Sequence, residues 1–541
     1  MSGNETEKKQ KSPEFIRGEC QERNVVVKDH RRVRLRFALA YPSPYFVGMS
    51  NLAVRLLYEL INNRDDALCE RFFFTEYGGL PRSIESGMPL KNFDVVGFSL
   101  QHEMDYLRML DMISRSGLPL NLKSAERTEP VIIAGGPSVT SNPLPLAPFV
   151  DFFVIGEVEP ILDRLLDGLP GKRENIEEAL GSIPGVYRYG STAERISVKD
   201  LNTAYHSVRQ VHSTSDGDFS SSFLLEVSRG CSRGCRFCME CFLYSPKRER
   251  SLETINRIVE EGIPLTGMNK VTCISSALFD HSDLTGILAY LRDRGLRFSL
   301  PSVRISDVKE DLMELLASGG QRTLTLAPET PSERLRSIIN KRFEDDQLYG
   351  TLSKAREAGI RSVKLYFMLG IPGETDSDVA ELKNMLSRIM SVGFRPNSIH
   401  ISVNLMIPKS NTPFQWAPVI GRKDFDRRLT AFRRICSDLG IRRVEAMDYR
   451  WGVIQAYLST AGVEASEVLN SLVLDLERGG RADLGAWRRI LGEYGREIED
   501  LYVSKKVDDP LPWESIKGAI PKSILRHEFE RAMVDAYARD I

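Results

Sequence analysis

The segment LLEVSRGCSRGCRFCMECFLYSPKRERS (224–251) carries four of the eight cysteines of the chain within eleven residues. Cys231, Cys235 and Cys238 follow an x3, x2 spacing, and Cys241 stands three positions further on. In a reducing compartment such a group is typical of a metal or cluster site rather than of disulfides. Zinc sites usually join two such groups at a distance, and the chain has no second pair. Three adjacent thiolates suit a [4Fe–4S] cluster and leave its fourth iron open.

The overall charge and composition exclude several other classes of protein. Lys and Arg number 73 and Asp and Glu 74, so a formal net charge of −1 gives no strong signal for nucleic-acid binding. No run approaches the ~18–20 apolar residues that span a bilayer. The first residues are polar where a signal peptide would be apolar. We therefore expect a cytoplasmic protein without a membrane span, built from roughly three or four structural units.

The region before the cysteine segment alternates apolar runs with amphipathic helical stretches. We expect residues 1–24 to form a disordered tail and 25–200 a doubly wound, Rossmann-like α/β domain, because strands that are apolar throughout are typical of a parallel sheet covered on both faces. The predicted strands are RLRFALAYP (34–42), DVVGFSL (94–100), PVIIAGG (130–136) and FVDFFVIG (149–156).

A second series of strands and helices occupies residues 201–439. Six βα units predict a partial (β/α)6 TIM-like barrel, with its chemistry at the carboxyl ends of the strands. After residue 440 strand signals fade, and residues 440–541 predict a mostly helical C-terminal domain. The six barrel strands are FLLEVSRG (223–230), KVTCISS (270–276), RFSLPSV (297–303), RTLTLAP (322–328), SVKLYFML (362–369) and SIHISVNLM (398–406).

At the end of the first barrel strand, CSRGCRFC (231–238) resembles the cluster motif of the radical S-adenosylmethionine (radical SAM) superfamily. The resemblance implies that Cys231, Cys235 and Cys238 bind a [4Fe–4S] cluster whose open iron chelates SAM. Reductive cleavage of SAM would then yield a 5′-deoxyadenosyl radical that abstracts a hydrogen atom from the substrate. Phe237 is placed to pack against the adenine. Cys241 departs from the motif, and we interpret it as a nearby buried thiol rather than a ligand.

Other barrel positions match the superfamily residue by residue. Ser275 and Ser276 stand where the family's motif for the SAM amino group lies, although they depart from its usual Gly-Gly-Glu. Glu329 ends the fourth strand, where similar enzymes bind the SAM ribose or amino group. Arg334 or Arg336, on the next helix, is expected to pair with the SAM carboxylate, because a guanidinium binds a carboxylate through two parallel hydrogen bonds.

The segment LYFMLGIPGETD (365–376) resembles the glycine-rich stretch near the adenine in the same superfamily. Gly370 and Gly373 would allow close backbone approach there. For Glu374 two interpretations stand side by side, a ligand contact and a charge at a helix N-terminus.

The first domain resembles the cobalamin (B12)-binding fold that commonly precedes a radical SAM barrel. Ligands of such sheets bind at the carboxyl ends of the strands. The motif that gives cobalt a histidine in other cobalamin proteins is missing, and we interpret His102 as structural. The alternative is a cobalamin-like domain retained as a scaffold. The strand-end residues that carry the resemblance are Ser99, Gln101, Gly135, Gly136, Gly156 and Glu157.

The chain from about residue 38 to 535 also resembles one group of uncharacterised B12-domain radical SAM proteins. The matching stretches keep their order and include VIIAGGPSV (131–139), KLYFMLGIPGETD (364–376), PKSNTPFQW (408–416) and DPLPWESI (509–516). The resemblance implies three cofactors, the [4Fe–4S] cluster, SAM and cobalamin, and a C-methyltransferase acting on an unactivated carbon.

Two other functions stay open at this point. One is a radical SAM enzyme of another type, such as a methylthiotransferase-like enzyme that modifies RNA or protein, with a scaffold domain in place of the cobalamin domain. The other is a non-catalytic iron–sulfur protein. We expect an electron donor of the flavodoxin or ferredoxin type. The substrate is unknown; a protein or peptide is our first hypothesis, with methyl-coenzyme M reductase as one candidate.

Overall fold

The computed structural model describes residues 21–120, 130–169, 171, 173–214, 221–300, 302–303, 305 and 310–537. Among these residues, every helix is too short or too polar to cross a lipid bilayer. The architecture is α/β, with a doubly wound first domain, a partial barrel and a helical C-terminal region, as the sequence predicts.

The first domain is built on a six-stranded sheet with the strand order β2-β1-β3-β4-β5-β6. The first five strands in the chain are parallel, and β6 pairs antiparallel with β5. All four predicted strands are present. The strands are β1 (Leu35–Tyr41), β2 (Ala67–Phe73), β3 (Val95–Ser99), β4 (Val131–Gly135), β5 (Phe152–Val154) and β6 (Val186–Tyr187). The helices of this domain are Tyr45–Met49, Leu52–Asn62, Asp105–Arg115, Pro137–Ser141, Leu162–Asp167 and Arg173–Gly181.

Strand β2 is absent from the sequence-based prediction because it carries two charged residues in a fully buried position. The side chain of Arg71 is inaccessible to solvent and is ion-paired with Glu22 at 2.7 Å and Glu85 at 2.7 Å. Glu70 pairs with His30. Buried charges persist where partners of opposite charge satisfy them, and these partners come from distant segments that the strand's own residues do not reveal.

The barrel consists of two hydrogen-bonded groups of parallel strands, β7-β8-β9 and β10-β11-β12-β13. A hydrogen bond of 2.8 Å from the Val303 amide to the Thr325 carbonyl joins the two groups. All six predicted barrel strands are present. The strands are β7 (Phe223–Glu226), β8 (Lys270–Ile274), β9 (Arg297–Ser299), β10 (Thr323–Glu329), β11 (Ser362–Leu369), β12 (Ile399–Leu405) and β13 (Arg443–Ala446). The helices between them are Met239–Leu243, Leu252–Thr266, Leu284–Asp293, Glu310–Ser318, Glu333–Ile338, Asp345–Glu357, Asp376–Ala380, Leu382–Ser391 and Arg422–Asp438.

Two predicted boundaries are wrong. Strand β13 lies beyond residue 439 and pairs in parallel with β12, so the barrel sheet continues into the segment that we expected to be helical. Its short sequence, RVEA, is half exposed and lacks the apolar run of the other strands. The predicted tail is also too long, since Glu22–Arg23 pairs antiparallel with His212–Ser213. Residues 1–20 lie outside the described residues.

The C-terminal region contains four helices, Tyr449–Thr460, Ala465–Glu477, Leu484–Glu493 and Lys522–Tyr537. It packs against both other domains. Ile516–Lys517 pairs with Ala193–Glu194 of the first domain. The last helix contributes Phe529 and Ala536 to an apolar cluster that also contains Cys235 and Cys241. The C-terminal region therefore covers the cysteine loop.

Candidate active site

The four clustered cysteines lie on the loop that follows β7 and on the short helix Met239–Leu243. Cys238 occupies the N-cap position of that helix, and its amide donates to the Cys235 carbonyl at 3.0 Å. Cys235 and Cys241 are buried, whereas Cys231 and Cys238 are partly accessible. Gly230 has a φ of 81°, and a Cβ there would lie 2.2 Å from the Tyr244 carbonyl oxygen. Only glycine fits this turn.

Hydrogen bonds join the cysteine loop to the segment that follows helix Glu333–Ile338. The backbone amide of Arg236 donates to the Ile339 carbonyl at 3.0 Å, and its buried guanidinium pairs with Glu528 at 2.9 Å. The side-chain amide of Asn340 donates to the Gly234 carbonyl at 2.9 Å. Hydrogen bonds to main-chain carbonyls thus set the position of the cysteines relative to residues 338–341.

Cys241 lies among the three motif cysteines. Hydrogen bonding with the thiols of Cys231, Cys235 and Cys238, together with burial, raises the pKa of Cys241. Within the described ranges, no three His, Cys, Asp or Glu side chains have the spacing of ligands around one metal ion. Each cysteine of a [4Fe–4S] cluster binds a different iron, so a cluster does not require that convergence. The buried sulfurs and the tight glycine turn fit an iron–sulfur cluster.

An ion pair stands beside this loop. Lys341 Nζ lies 2.6 Å from Glu329 Oε1, and both side chains are mostly buried. Burial alone would lower the pKa of Lys341, but the negative charges of Glu329, Cys235 and Cys238 outweigh it and raise the pKa. Glu329 has a φ of 67°, a conformation that costs a non-glycine residue energy and is often found at functional sites. Because Lys341 feels the charges of both Glu329 and the cysteines, the ion pair stands beside the cysteine loop. A contact of Glu329 with SAM stays a prediction.

The two predicted carboxylate-binding arginines have protein partners. Arg334 donates to Asp378 at 2.6 Å and to the Gly373 carbonyl at 2.7 Å. Arg336 is buried and donates to Asp345 at 2.6 Å. The structure brings neither guanidinium to Glu329; the cation at that position is Lys341. A role for either arginine in binding SAM stays a prediction.

Ser275 and Ser276 follow β8 and face the cysteine segment. The Ser275 hydroxyl lies 2.6 Å from the Ser228 hydroxyl, and Ser276 donates to the Glu240 carboxylate. Burial raises the pKa of Glu240, which the hydrogen bond from Ser276 opposes. The structure thus places a carboxylate where the sequence predicted only two serines.

The glycine-rich segment after β11 makes its contacts within the protein. A Cβ at Gly370 would lie 2.6 Å from Ile420, and one at Gly373 would lie 2.5 Å from the Ala536 carbonyl oxygen. Burial raises the pKa of Glu374 to about 7. This carboxylate accepts from the Gly370 amide at 2.8 Å and from Arg428 at 2.8 Å, which supports a structural role for it. Phe237 packs against the apolar cluster that contains Cys235, Phe529 and Ala536.

A cavity of about 630 Å³ joins the first domain to the barrel. Its apolar lining includes the β-strand residues Leu39 and Ile133 and Leu56 of the helix Leu52–Asn62. Its polar lining includes Arg229 and Glu240 of the barrel. Among the predicted cofactor contacts, those that line the cavity are Ser99, Gln101, Gly135, Gly136, Gly156, Glu157, Ser275 and Ser276.

The three glycines at the strand ends of the first sheet are required for different structural reasons. Gly136 has a φ of 108°, and its Cβ would lie 2.4 Å from the Leu100 carbonyl oxygen. Gly156 has a φ of 109°, and its Cβ would lie 2.1 Å from the Ile196 carbonyl oxygen. Both positions are therefore glycine because the protein's own backbone approaches them. At Gly135 the nearest atom is a Val154 carbon at 3.7 Å, so this position has room on the cavity side.

Glu157 belongs to a buried ion-pair network between the domains. It accepts from Arg248 at 2.8 Å and pairs with Arg229 at 2.9 Å. Burial would raise the pKa of Glu157, but these two arginines lower it. Arg229 also pairs with Glu226 and Glu159 at 2.9 Å each. Glu157 thus lines the cavity while holding the first domain against the barrel.

His102 and its neighbour connect the first domain to the last segments. The His102 ring lies 2.7 Å from the Gln455 amide nitrogen. Glu103 pairs with Lys409 at 2.6 Å. Glu103 is buried whereas His102 is exposed, and neither residue lines the cavity. This geometry supports the structural interpretation of His102.

Three residues of the site are missing from the sequence-based prediction. They are Lys341, Glu240 and Arg229. Each lies within or beside a sequence motif described above, but its position in the sequence does not indicate which residue it pairs with. For Arg229 and Glu240 the available signal was a charge flanking the cysteine motif, whereas Lys341 lies in a different segment, 326–341. The partners Glu329, Ser276 and Glu157 come from other elements, so only the folded chain reveals the pairs.

Two families match the chain. Residues 53–188 match the family described as radical SAM proteins, N-terminal, and residues 225–386 match the radical SAM superfamily. An uncharacterized protein of Methanocaldococcus jannaschii is 31% identical over 474 residues, which cover 84% of this chain and 98% of that protein. The ribosomal protein uS12 methylthiotransferase RimO of Desulfotalea psychrophila is 24% identical over 191 residues, 32% of this chain and 42% of its own.

Among solved structures, the chain is similar to the radical S-adenosylmethionine methyltransferase TsrM from Kitasatospora setae, with cobalamin and a [4Fe–4S] cluster bound. The TM-score is 0.52 at 13% identity, and the match covers 83% of this chain and 100% of that one. At this identity the similarity shows the fold alone. The relative from Methanocaldococcus and the matching families establish more: this chain belongs to the radical SAM superfamily, whose enzymes use a [4Fe–4S] cluster and SAM.

Proposed function

We propose that this enzyme is a cobalamin-dependent radical SAM methyltransferase that methylates an unactivated carbon, of a protein or peptide. The observation that carries the proposal is the cavity shared by the two domains. A methyl carrier held by the first sheet and a radical generated in the barrel must reach one substrate atom. A single cavity bounded by Gly135 on one side and by Ser276 on the other meets that requirement.

The shape of the cavity supports cobalamin as the carrier. Its volume of about 630 Å³ lies in the range usual for small-molecule sites. The apolar lining, with Leu39, Ile133 and Leu56, would hold the planar base of a cobalamin's nucleotide tail. The polar strand ends at Ser99 and Gln101 would hold its corrin side chains. The residues present therefore fit the group.

When bound, the cluster supplies the electron for SAM cleavage and cobalamin supplies the methyl group. The chain's own residues would position these groups. Arg229 and Glu157, which both line the cavity, hold the two domains together, and the C-terminal helix Lys522–Tyr537 packs against the cysteine loop. We further propose that the electron reaches the cluster from a flavodoxin or ferredoxin type of donor.

A methylthiotransferase-like reaction is the alternative, and the similarity to RimO is its support. As a class, methylthiotransferases carry a second cysteine triad before the barrel. Only Cys20 and Cys69 precede the barrel here. Cys69 is fully buried in β2, where its amide donates to the Asn62 side chain and its carbonyl accepts from it, each at 3.0 Å. This position does not suit a cluster ligand, so we favour methyl transfer.

The proposal is tested by anaerobic reconstitution of the full chain with iron, sulfide and hydroxocobalamin. After desalting, the absorbance spectrum reports the cluster and the corrin separately. We expect both in the native protein. Incubation with methyl-labelled SAM and a reductant then asks whether label is transferred to protein or peptide in a cell extract depleted of SAM.

A matched pair of variants links the corrin to the cavity. Gly135→Leu adds a side chain at a residue that lines the cavity and whose Cβ would make only ordinary contacts with Val154, whereas Gly181→Leu adds the same side chain at an exposed helix end. We expect Gly135→Leu to keep the cluster and lose most of the corrin, and Gly181→Leu to keep both. A native protein that retains the cluster without corrin would overturn the cobalamin proposal.

A further inference from the structure

Strands β11, β12 and β13 present a polar, accessible face to the interior of the barrel. Their opposite face is covered by helices; the Phe367 and Phe432 rings, for example, lie 5.3 Å apart where helix Arg422–Asp438 packs on β11. Successive side chains of a strand point to opposite faces, so the alternate residues point into the barrel, where complete barrels have a packed apolar core. Here the inward residues that are partly or fully accessible include Lys364, Tyr366, His400, Ser402, Arg443 and Glu445.

Three basic side chains of this inward face lie in one row, which we call the basic row. The strand registers place Lys364 beside His400 and His400 beside Arg443. Neighbouring strands lie ~4.8 Å apart, so the backbones of the row span roughly 10 Å. Arg443 Nη1 lies 2.6 Å from His400 Nε2, and Lys364 Nζ lies 5.0 Å from the centre of the Tyr366 ring. The fold thus gathers basic groups from three separate segments at one place in the barrel.

The positive charge of the basic row is only partly compensated. Within the described ranges, neither Lys364 nor Arg443 forms an ion pair with a carboxylate, and their side-chain contacts are the Tyr366 ring and the His400 imidazole. Glu445 lies two positions after Arg443 on the same face of β13. Burial and the charges of Arg443 and Lys364 lower the pKa of His400, and the opposing effect of Glu445 is smaller. The row therefore offers two cations to a ligand of opposite charge.

We propose that the basic row binds a carboxylate of the substrate, on an extended acidic peptide that enters the open side of the barrel. Arginine and lysine bind carboxylates through charge-assisted hydrogen bonds, which are stronger than neutral ones. A carboxylate between the two cations would also relieve their mutual repulsion. This inference rests on the peptide substrate of the proposed function and names the feature by which such a peptide is recognised.

The position of the basic row sets the length of the peptide. Lys364 precedes Leu369, the last residue of β11, by five positions. At ~3.3 Å per residue, roughly 16 Å separates the row from the strand ends where the cofactors are proposed to act. An extended peptide of about five residues spans that distance. The bound carboxylate would therefore lie about five residues from the residue that is methylated.

A peptide fits this face better than RNA does. A single carboxylate needs only the basic row, whereas an RNA strand carries a charge at every nucleotide and would bring phosphates toward Glu445. The formal net charge of −1 also gives the chain no long-range attraction for RNA. We therefore assign the row to a peptide and make RNA an outcome of the test.

The test is fluorescence anisotropy of labelled hexaglutamate with the full chain, reconstituted anaerobically with the cluster, at low ionic strength. The double variant Lys364→Gln/Arg443→Gln should bind hexaglutamate roughly 10- to 100-fold more weakly, because it removes both charge-assisted hydrogen bonds. The charge-conserving double variant Lys364→Arg/Arg443→Lys should retain most of the native affinity. An equal loss in both double variants would show that the charges are not the cause and would overturn the proposal.

A matched control separates the basic row from general attraction of an acidic peptide. Arg433→Gln/Arg434→Gln removes two exposed arginines from helix Arg422–Asp438, on the outer side of the same strands. Exposed charges contribute little, so this variant should bind hexaglutamate within about twofold of the native affinity. Weakening there as large as in Lys364→Gln/Arg443→Gln would contradict the assignment. Native affinity in Lys364→Gln/Arg443→Gln would contradict it as well.

A labelled RNA of six uridines tests the other occupant. We expect it to bind more weakly than hexaglutamate and to bind equally well to the native chain and to Lys364→Gln/Arg443→Gln. Tighter binding of the RNA, lost in that double variant, would assign the row to RNA and reject the peptide. Because neither SAM nor cobalamin is added, a failure of methyl transfer would leave these binding results unchanged.

Discussion

The cysteine loop and the strand ends of the first sheet both carry predicted cofactor contacts, yet they are built differently. In the loop, the cysteines face one another, while the Arg236 backbone amide and the Asn340 side-chain amide make the hydrogen bonds that hold them in place. At the strand ends, Glu157 and Gly136 are engaged by the protein itself. The comparison shows that a residue at the carboxyl end of a strand can line a ligand cavity and still be required chiefly by the fold.

The largest expected effect concerns the loop. Replacing Cys231, Cys235 or Cys238 by Ala should abolish cluster binding, because each removes a thiolate for one iron. Cys241→Ala should retain the cluster, although its thiol contacts the other three. Iron and sulfide quantitation on the four reconstituted variants measures this difference. An equal loss of iron in Cys241→Ala would make Cys241 a ligand and end its interpretation as a neighbouring thiol.

The second prediction tests whether Glu157 stabilises the fold or contacts a ligand. Glu157→Gln removes the buried carboxylate that pairs with Arg248, while Arg229 keeps Glu226 and Glu159. Breaking a buried pair of this kind costs about 3–5 kcal/mol of unfolding free energy. Denaturant unfolding of the protein without cofactors measures the loss. Arg188→Gln, which breaks an exposed pair with Glu177, is the control and should cost about 1 kcal/mol or less. Unchanged stability together with lost corrin binding would instead identify Glu157 as a ligand contact.

The third prediction uses pH to test the contact between the first domain and residue Lys409. Burial would raise the pKa of Glu103, but Lys409 lowers it to about 2, against an ordinary value of 4.5. A carboxyl with a lowered folded-state pKa stabilises the fold above pH 4.5, and this contribution, about 3 kcal/mol, is lost as the pH falls toward 2. Unfolding free energies at pH 6 and 3 should therefore fall less in Glu103→Gln than in the native protein. The same pH dependence in both would show that the pair contributes nothing.

The smallest expected effect is a difference in stability between substitutions at two adjacent glycines. Gly136→Ala forces a side chain into a conformation with φ of 108° and against the Leu100 carbonyl, which should cost about 1–3 kcal/mol. Gly135→Ala meets only an ordinary contact with Val154 and should change stability by about 1 kcal/mol or less. Thermal and urea unfolding of the two variants compare them directly. Equal destabilisation would mean that Gly135 is also required by the backbone.

Much of the fold followed from local patterns. The strand within 94–100 is buried on both faces, which its continuous apolar run predicts. The strand 362–369 alternates buried and partly exposed residues, and its own alternation of side chains predicts it. Strands β2 and β13 were not predicted, for different reasons. Strand β2 buries an arginine whose acidic partners lie in other segments. Strand β13 is a short, half-exposed strand at the edge of the sheet. In the site, Glu329 was predicted from its strand end, whereas Lys341 was not, because its partner is twelve residues away on another element.

The class of chemistry can be predicted from the amino-acid sequence alone, because the spacing of Cys231, Cys235 and Cys238 is local and a three-thiolate loop suits few cofactors. It also determined the order of the domains through the periodicity of apolar residues. Only the tertiary structure decided which charged groups meet: Lys341 with Glu329, Arg229 with Glu157, and Lys409 with Glu103. Ion pairs and cavities form between segments far apart in the chain, and their geometry depends on how whole domains pack.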